Sequence, residues 1–390
     1  MTIATLPPSA RDIPLTRLPA LDAMRVVAAT AVLSTHAAFQ TGTAARGPVG
    51  AVLARMDCGV AVFFVLSGFL LYRPWAVAAQ FDARRPKASA YLLHRALRIL
   101  PAYWLVVVVA LTLMPANIAA TPRQWVAQLL LVQIYAPGLL SEGLTQMWSL
   151  ATEVAFYLIL PLLALAITTV GRVVGQLRAV IAGSIVMLVV GIYWQILSHS
   201  AGRPSYWSFW LPGYLAWFGA GMLLAALVER LLAPGELPSW GSTLRSLAAS
   251  PGTCWATAGA LLLLAATPIA GPRAFEAAQT PGAAVVKNLL YLVIAVLVVL
   301  PAALPSERPG LFLRITSGGV AHRLGEVSYG MFLWHLILLS TAFQVLGLHE
   351  FAGGFLAVFA LTWTWTVAVS FTSWSILERP FLRLKRRVPL

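Results

Sequence analysis

Three ionisable side chains fall in one apolar stretch, Leu21 to Gln40: Asp22 and Arg25 near its start, and His36 towards its far end. Holding such a group at the centre of a membrane helix costs about 2.5–3.5 kcal/mol for Arg or Asp on insertion scales. A chain that keeps three of them in its first span is expected to use at least one. Asp22 and Arg25 stand three residues apart, so an ion pair at i, i+3 near the interface reads as well as a functional role. His36 lies deeper and has no charged neighbour in its own helix. It is the candidate general base.

A general base needs its imidazole oriented, and a carboxylate on one ring nitrogen fixes the tautomer and raises the basicity of the other. Glu153, in Trp148-Ser149-Leu150-Ala151-Thr152-Glu153, is the candidate. It falls on the order of 10 Å from the end of its stretch and His36 on the order of 6 Å from the end of its own, so the two are predicted at comparable depth. The competing reading pairs Glu153 with another buried donor. Arg95 and Arg98 share a helix face at i, i+3, and two guanidiniums suit a pyrophosphate or nucleotide phosphate. Arginines at a span entrance also serve as snorkelling anchors, and both readings stay open. Asp22, Arg25, Ser328, Tyr329, Glu378 and Arg379 fall at similar depth and complete or brace that cluster.

About 21 Å of helix separates Asp22 from His36. A long ligand fits that spacing, with its charged head at the arginines and its reactive end at His36, and acyl-coenzyme A has that shape. Ser67, in Phe63-Phe64-Val65-Leu66-Ser67-Gly68-Phe69, has no nucleophile elbow around it and reads as packing. Ser67, Tyr103 and Ser328 are candidate donors to a developing oxyanion. His335 is a second histidine in the middle of an apolar stretch and a back-up base. No spacing resembles a metal site, and no permanently bound cofactor is expected.

These residues need a frame, and composition supplies it. Of 390 residues, 59% are hydrophobic and 10% charged, with a mean hydropathy of +0.82. Soluble domains carry about 25% charged residues. The apolar runs do not alternate as barrel strands do, so the expected class is all-α, a polytopic membrane helical bundle. Ten spans are predicted at 21–40, 57–79, 93–115, 146–170, 179–197, 206–228, 253–270, 285–304, 325–347 and 354–377. Gln124 to Tyr135 is too short to span and reads as interfacial or re-entrant. The net charge of +14 raises nucleic acid as a partner, but most Lys and Arg fall on one side of the predicted topology. Clusters such as Arg84, Arg85, Lys87 and Arg383, Lys385, Arg386, Arg387 then place both termini in the cytoplasm, with the bilayer as the basic chain's partner. Residues 1–18 read as a cytoplasmic segment, 19–382 as one membrane domain and 383–390 as a basic tail. The first twenty residues show no basic-then-apolar leader, so no signal peptide is expected. Cys58 and Cys254 read as packing residues.

In order along the chain, these blocks resemble the acyltransferase-3 family of integral membrane acyltransferases. The matching residues are Leu21-Asp22-Ala23-Met24-Arg25 with His36, Gly59-Val60 with Phe63 to Phe69, and Arg95-x-x-Arg98-Ile99 with Pro101 and Tyr103. They continue with Trp148-Ser149-Leu150, Glu153 and Phe156-Tyr157, Ser328-Tyr329 with Leu333-Trp334-His335, and Glu378-Arg379-Pro380. The resemblance implies about ten spans, an acyl-coenzyme A donor as co-substrate and O-acylation of a hydroxyl acceptor such as a carbohydrate, glycolipid, cell-wall polymer or macrolide. It implies His36 as catalytic base and Arg95 and Arg98 as donor-side residues; Arg25, at similar depth, is read with them on the donor side, in a multi-pass protein of the cell membrane. Two positions depart from the family pattern: Ala61-Val62 stand where an acidic residue often precedes the Phe-Phe pair, and Ile337 where proline often follows the histidine. The rival expectation is a proton-coupled transporter or flippase in which His36, Glu153 and His335 relay protons.

Overall fold

The structure is a computed structural model that describes residues 15–233, 236–273, 278–304 and 310–385. Each of the ten predicted stretches contains an α-helix, although in 206–228 it starts only at Leu215, after the 3-10 turns Ser205–Phe209 and Leu211–Tyr214, and in 253–270 it ends at Ala265. The chain order is α1 (Ala20–Gln40), α2 (Gly47–Ala54), α3 (Gly59–Gln80), α4 (Ala88–Leu113), α5 (Pro122–Leu129), α6 (Met147–Val174), α7 (Gln176–Ser198) and α8 (Leu215–Leu232). It continues with α9 (Gly241–Ala248), α10 (Pro251–Ala265), α11 (Pro281–Ala303), α12 (Leu311–Thr316), α13 (Gly319–Leu346), α14 (Phe355–Ser373) and α15 (Arg379–Lys385). No strand occurs among the described residues. Arg386 and Arg387 of the basic tail, and the first 14 residues, lie outside them.

Among the described residues, eight helical segments are long and apolar enough to cross a membrane, or nine if α9 and α10, bent by 78°, form one broken span. The first helix is not among the eight, although its 21 residues reach about 31 Å. Its polar residues lower its apolarity, and its surroundings tolerate them: α1 is enclosed by α3, α11, α13 and α14. Polar side chains on such a helix face protein rather than lipid.

Close helix approach sets the packing. A Cβ on Gly68 would stand 2.2 Å from the Phe218 carbonyl oxygen, and one on Gly221 2.1 Å from that of Val65. Only glycine lets α3 and α8 meet backbone to backbone at these two points. An ion pair locks the same two helices. Arg73 Nε donates to Glu229 Oε1 at 2.5 Å, its Nη2 to the Thr16 carbonyl at 3.0 Å, and both charged side chains are buried. Removing one partner strands the other. Arg73→Ala is expected to destabilise by about 3–5 kcal/mol, whereas Arg73→Met with Glu229→Leu recovers most of that loss. Thermal unfolding of the purified protein in detergent measures both, and equal losses in the single and double variants would refute the assignment.

The segment read as interfacial or re-entrant is not a span. α5 has eight residues and opens on a capping box between Thr121 and Gln124. The chain after it folds into the bundle, burying Gln133, Ile134, Leu144 and Gln146. Amide side chains satisfy the irregular backbone: Gln128 donates to Leu139 O, Gln133 to Met147 O, and Asn117 to Ala110 O and Glu142 O. Non-helical backbone at membrane depth is tolerated when protein encloses it in this way. Gln146 also donates to Leu333 O, halfway along α13, so α6 begins inside the bundle.

Candidate active site

Where α6 begins decides where Glu153 lies. His335 follows Leu333 by two residues, so the first turn of α6 is level with His335 and Glu153 is about 10 Å further along. Its carboxylate accepts hydrogen bonds from Ser67 of α3 and from Tyr157, and lies within electrostatic reach of Arg95 and Arg25. Glu153 and His36 therefore do not pair. The expectation of equal depth assumed that α6 starts at the membrane surface, and the folded-in segment before it moves the start inward.

His36 instead neighbours His335, with ring centroids 5.3 Å apart and planes tilted by 43°. The α1 and α13 backbones run alongside each other, and Gly325 touches Asp22 at their starts. His335 Nδ1 donates to Phe332 O at 2.8 Å and sits 3.2 Å from Met331 O. Carbonyls only accept, so Nδ1 carries the proton and Nε2 presents a lone pair. His335 is 1% exposed, whereas His36 is partly exposed and has no hydrogen-bond partner among the described residues. Of the two imidazoles, His36 is the more exposed. The carboxylate within electrostatic reach of it is Asp57, which the sequence reading passed over.

At the other level the arginines gather as the sequence suggested. Arg25 pairs with Asp22 at 2.9 Å, the structural pairing, and lies within reach of Arg95 and Arg98. Asp22 also meets His322 Nδ1 at 2.9 Å, and Arg17 reaches the same ring. Arg98 stands 3.7 Å from the buried carboxylate of Glu378 and 5.9 Å from the centre of the Tyr329 ring. Arg95 Nε is buried without a hydrogen-bond partner. Arg25, Ser67, Arg95, Arg98 and Glu153 are all partly exposed. Arg379 is not part of it: its guanidinium lies over Trp374 and lines a separate cleft with Glu326 and Arg383. Between α14 and α15 the helix widens into a π turn, Trp374–Glu378. Pro380, which has no N–H to continue the ladder, follows it, and the turn delivers Glu378 to Arg98.

None of the three hydroxyls considered for an oxyanion is free. Ser67 donates to Glu153, Tyr103 to Gln128 O at 2.5 Å and Ser328 to Gly325 O at 2.8 Å. Each has one proton and already uses it.

An apolar helical bundle with ionisable side chains gathered at two internal levels defines a multi-pass membrane protein with a polar interior site. The chain belongs to the acyltransferase-3 family: the family model described as an acyltransferase domain matches residues 18–375. It is 25% identical over 400 residues to Nodulation protein 10 of Rhizobium leguminosarum bv. viciae, covering 93% of each chain. It is 26% identical over 380 residues to the exopolysaccharide production protein ExoZ of Rhizobium meliloti (strain 1021), covering 90% of this chain and 95% of that one. No solved structure matches significantly. The protein is thus a membrane enzyme that transfers acyl groups.

Proposed function

We propose that the protein is an O-acyltransferase of the cell membrane that moves an acetyl or other short acyl group from acyl-coenzyme A to a hydroxyl of a carbohydrate, glycolipid or glycosylated metabolite such as a macrolide. We also read α1 and the bent α9–α10 pair as completing ten crossings, with both termini cytoplasmic. The observation that carries the proposal is the division of one central helix between two polar levels. Arg25 lies within electrostatic reach of Arg95 and Arg98 near one end of α1, and a partly exposed imidazole, His36, stands about 16 Å further along it. A nucleotide thioester has those two ends and about that length.

In this reading Arg95, Arg98 and Arg25 hold the donor's phosphates. His36 takes the proton of the acceptor hydroxyl as its oxygen attacks the thioester carbonyl. The new ester C–O bond forms, the C–S bond breaks, and the proton passes from His36 to the departing thiolate, giving free coenzyme A. Glu153, held by Ser67 and Tyr157, balances the arginine cluster rather than orienting His36. The name of one relative ties that protein to exopolysaccharide production, in keeping with a sugar acceptor here. Membranes containing the protein, incubated with acyl-labelled coenzyme A thioester, are expected to place label on an alcohol in ester linkage. Movement of substrate without covalent change would favour the transporter reading and overturn this one.

A further inference from the structure

Asp57 has no part in the mechanism above. It sits in the short 3-10 turn Met56–Cys58 that leads into α3, and this turn packs against α1. Lys287 Nζ donates to Asp57 Oδ2 at 2.7 Å, and the Tyr291 hydroxyl donates to Oδ1. Lys287 and Tyr291 are one turn apart on α11, and the ammonium lies 5.2 Å from the Tyr291 ring centre. Behind the pair the bundle is aromatic: Trp217 is 6.4 Å from Tyr291 and Tyr214 is 5.0 Å from Trp217, with Tyr291 and Trp217 themselves buried. The turn lies beside the α1 stretch that carries His36: Thr35 Oγ1 donates to the Ala54 carbonyl at 3.3 Å, and a Cβ on Gly59 would meet Val32 at 3.1 Å.

Two observations separate this group from a locking ion pair. The Asp57 and Lys287 side chains are 34% and 25% exposed, against 8% and 5% for Glu229 and Arg73. Their bonding capacity is also unfilled. Each carboxylate oxygen accepts one hydrogen bond where it can take two, and Lys287 uses one of its three N–H groups. What remains is a mixed set of donors and acceptors at the turn that packs against α1, the helix of the candidate base. A sugar ring complements such a set, because its hydroxyls both donate and accept.

We propose that Asp57, Lys287 and Tyr291 form the acceptor subsite, holding a polyhydroxylated ring so that one hydroxyl faces His36. The proposal rests on the acyl-transfer reading and assigns its acceptor side. The test uses the full chain in lipid nanodiscs with labelled acetyl-coenzyme A and two acceptors, octyl β-glucoside and 1-octanol, below their aggregation limits. The wild-type protein is expected to prefer the glucoside by at least about tenfold in kcat/KM, as removing hydrogen bonds to charged groups implies. Lys287→Met, which keeps the stem over Tyr291, and Asp57→Asn should each raise the glucoside KM about tenfold or more while the donor KM stays within about twofold. Tyr291→Phe deletes one hydroxyl and should cost about threefold in the same KM. A wild-type protein without glucoside preference, a preference that survives the substitutions, or donor and acceptor KM rising together would overturn the subsite. Label on neither acceptor would instead overturn the acyl-transfer reading, and the subsite with it.

Discussion

His36→Ala is expected to lower acyl transfer by about 10²–10⁴-fold, the usual contribution of a positioned general base, or ~3–5 kcal/mol of barrier. The fold should survive. His36 makes no hydrogen bond among the described residues and is partly exposed, so its removal strands no buried partner. His335→Ala provides the contrast. That ring is sealed and its N–H is committed to carbonyls of its own helix, so its loss should appear in thermal stability more than in turnover. Steady-state kinetics on purified variants of matched monodispersity measure this. Turnover of His36→Ala within threefold of wild type would remove the imidazole from the mechanism.

The second large effect lies at the opposite end of α1. Arg95→Ala combined with Arg98→Ala should raise the donor KM by about 100-fold, since each lost charged contact to phosphate is worth about 1.5–3 kcal/mol. Arg98 also faces the buried Glu378 carboxylate, so the double variant needs Glu378→Gln beside it to avoid an unpaired charge. A truncated donor, an N-acetylcysteamine thioester, has no phosphates to lose. It should react slowly with the wild-type protein and at nearly the same rate with the arginine variant. Equal sensitivity of both donors would return the two arginines to the role of membrane anchors.

The helices were legible because apolarity over a span is a property of a contiguous stretch; among the described residues eight of the stretches, or nine with the bent α9–α10 pair, carry helices long and apolar enough to cross. The arginine cluster was legible for a related reason: i, i+3 spacing within one helix fixes a shared face before any tertiary contact forms. The His36–Glu153 pairing was not, because depth was counted from the apparent edge of an apolar run. That edge is displaced inward by amide side chains of Gln133, Gln146 and Asn117, whose partners are tertiary. Asp57 escaped notice because it stands at the very start of its stretch, where a carboxylate ordinarily meets water. Its ties to Lys287 and Tyr291 cross some 230 residues of sequence, and no local pattern announces them. The hydroxyls of Ser67, Tyr103 and Ser328 looked available for the same reason, since only the folded chain shows each proton already taken.

A last consequence concerns the order in which the bundle is made. Arg55, 1% exposed, donates to the carbonyl oxygens of Ala265 at 2.9 Å and Gly271 at 2.5 Å. Those acceptors emerge 210 residues later, which is about 10–40 s of ribosomal synthesis. Throughout that interval the nascent first hairpin carries a guanidinium whose final partners do not yet exist. These two bonds can therefore form only after α10 has been made, so the α2–α3 end is completed late in synthesis.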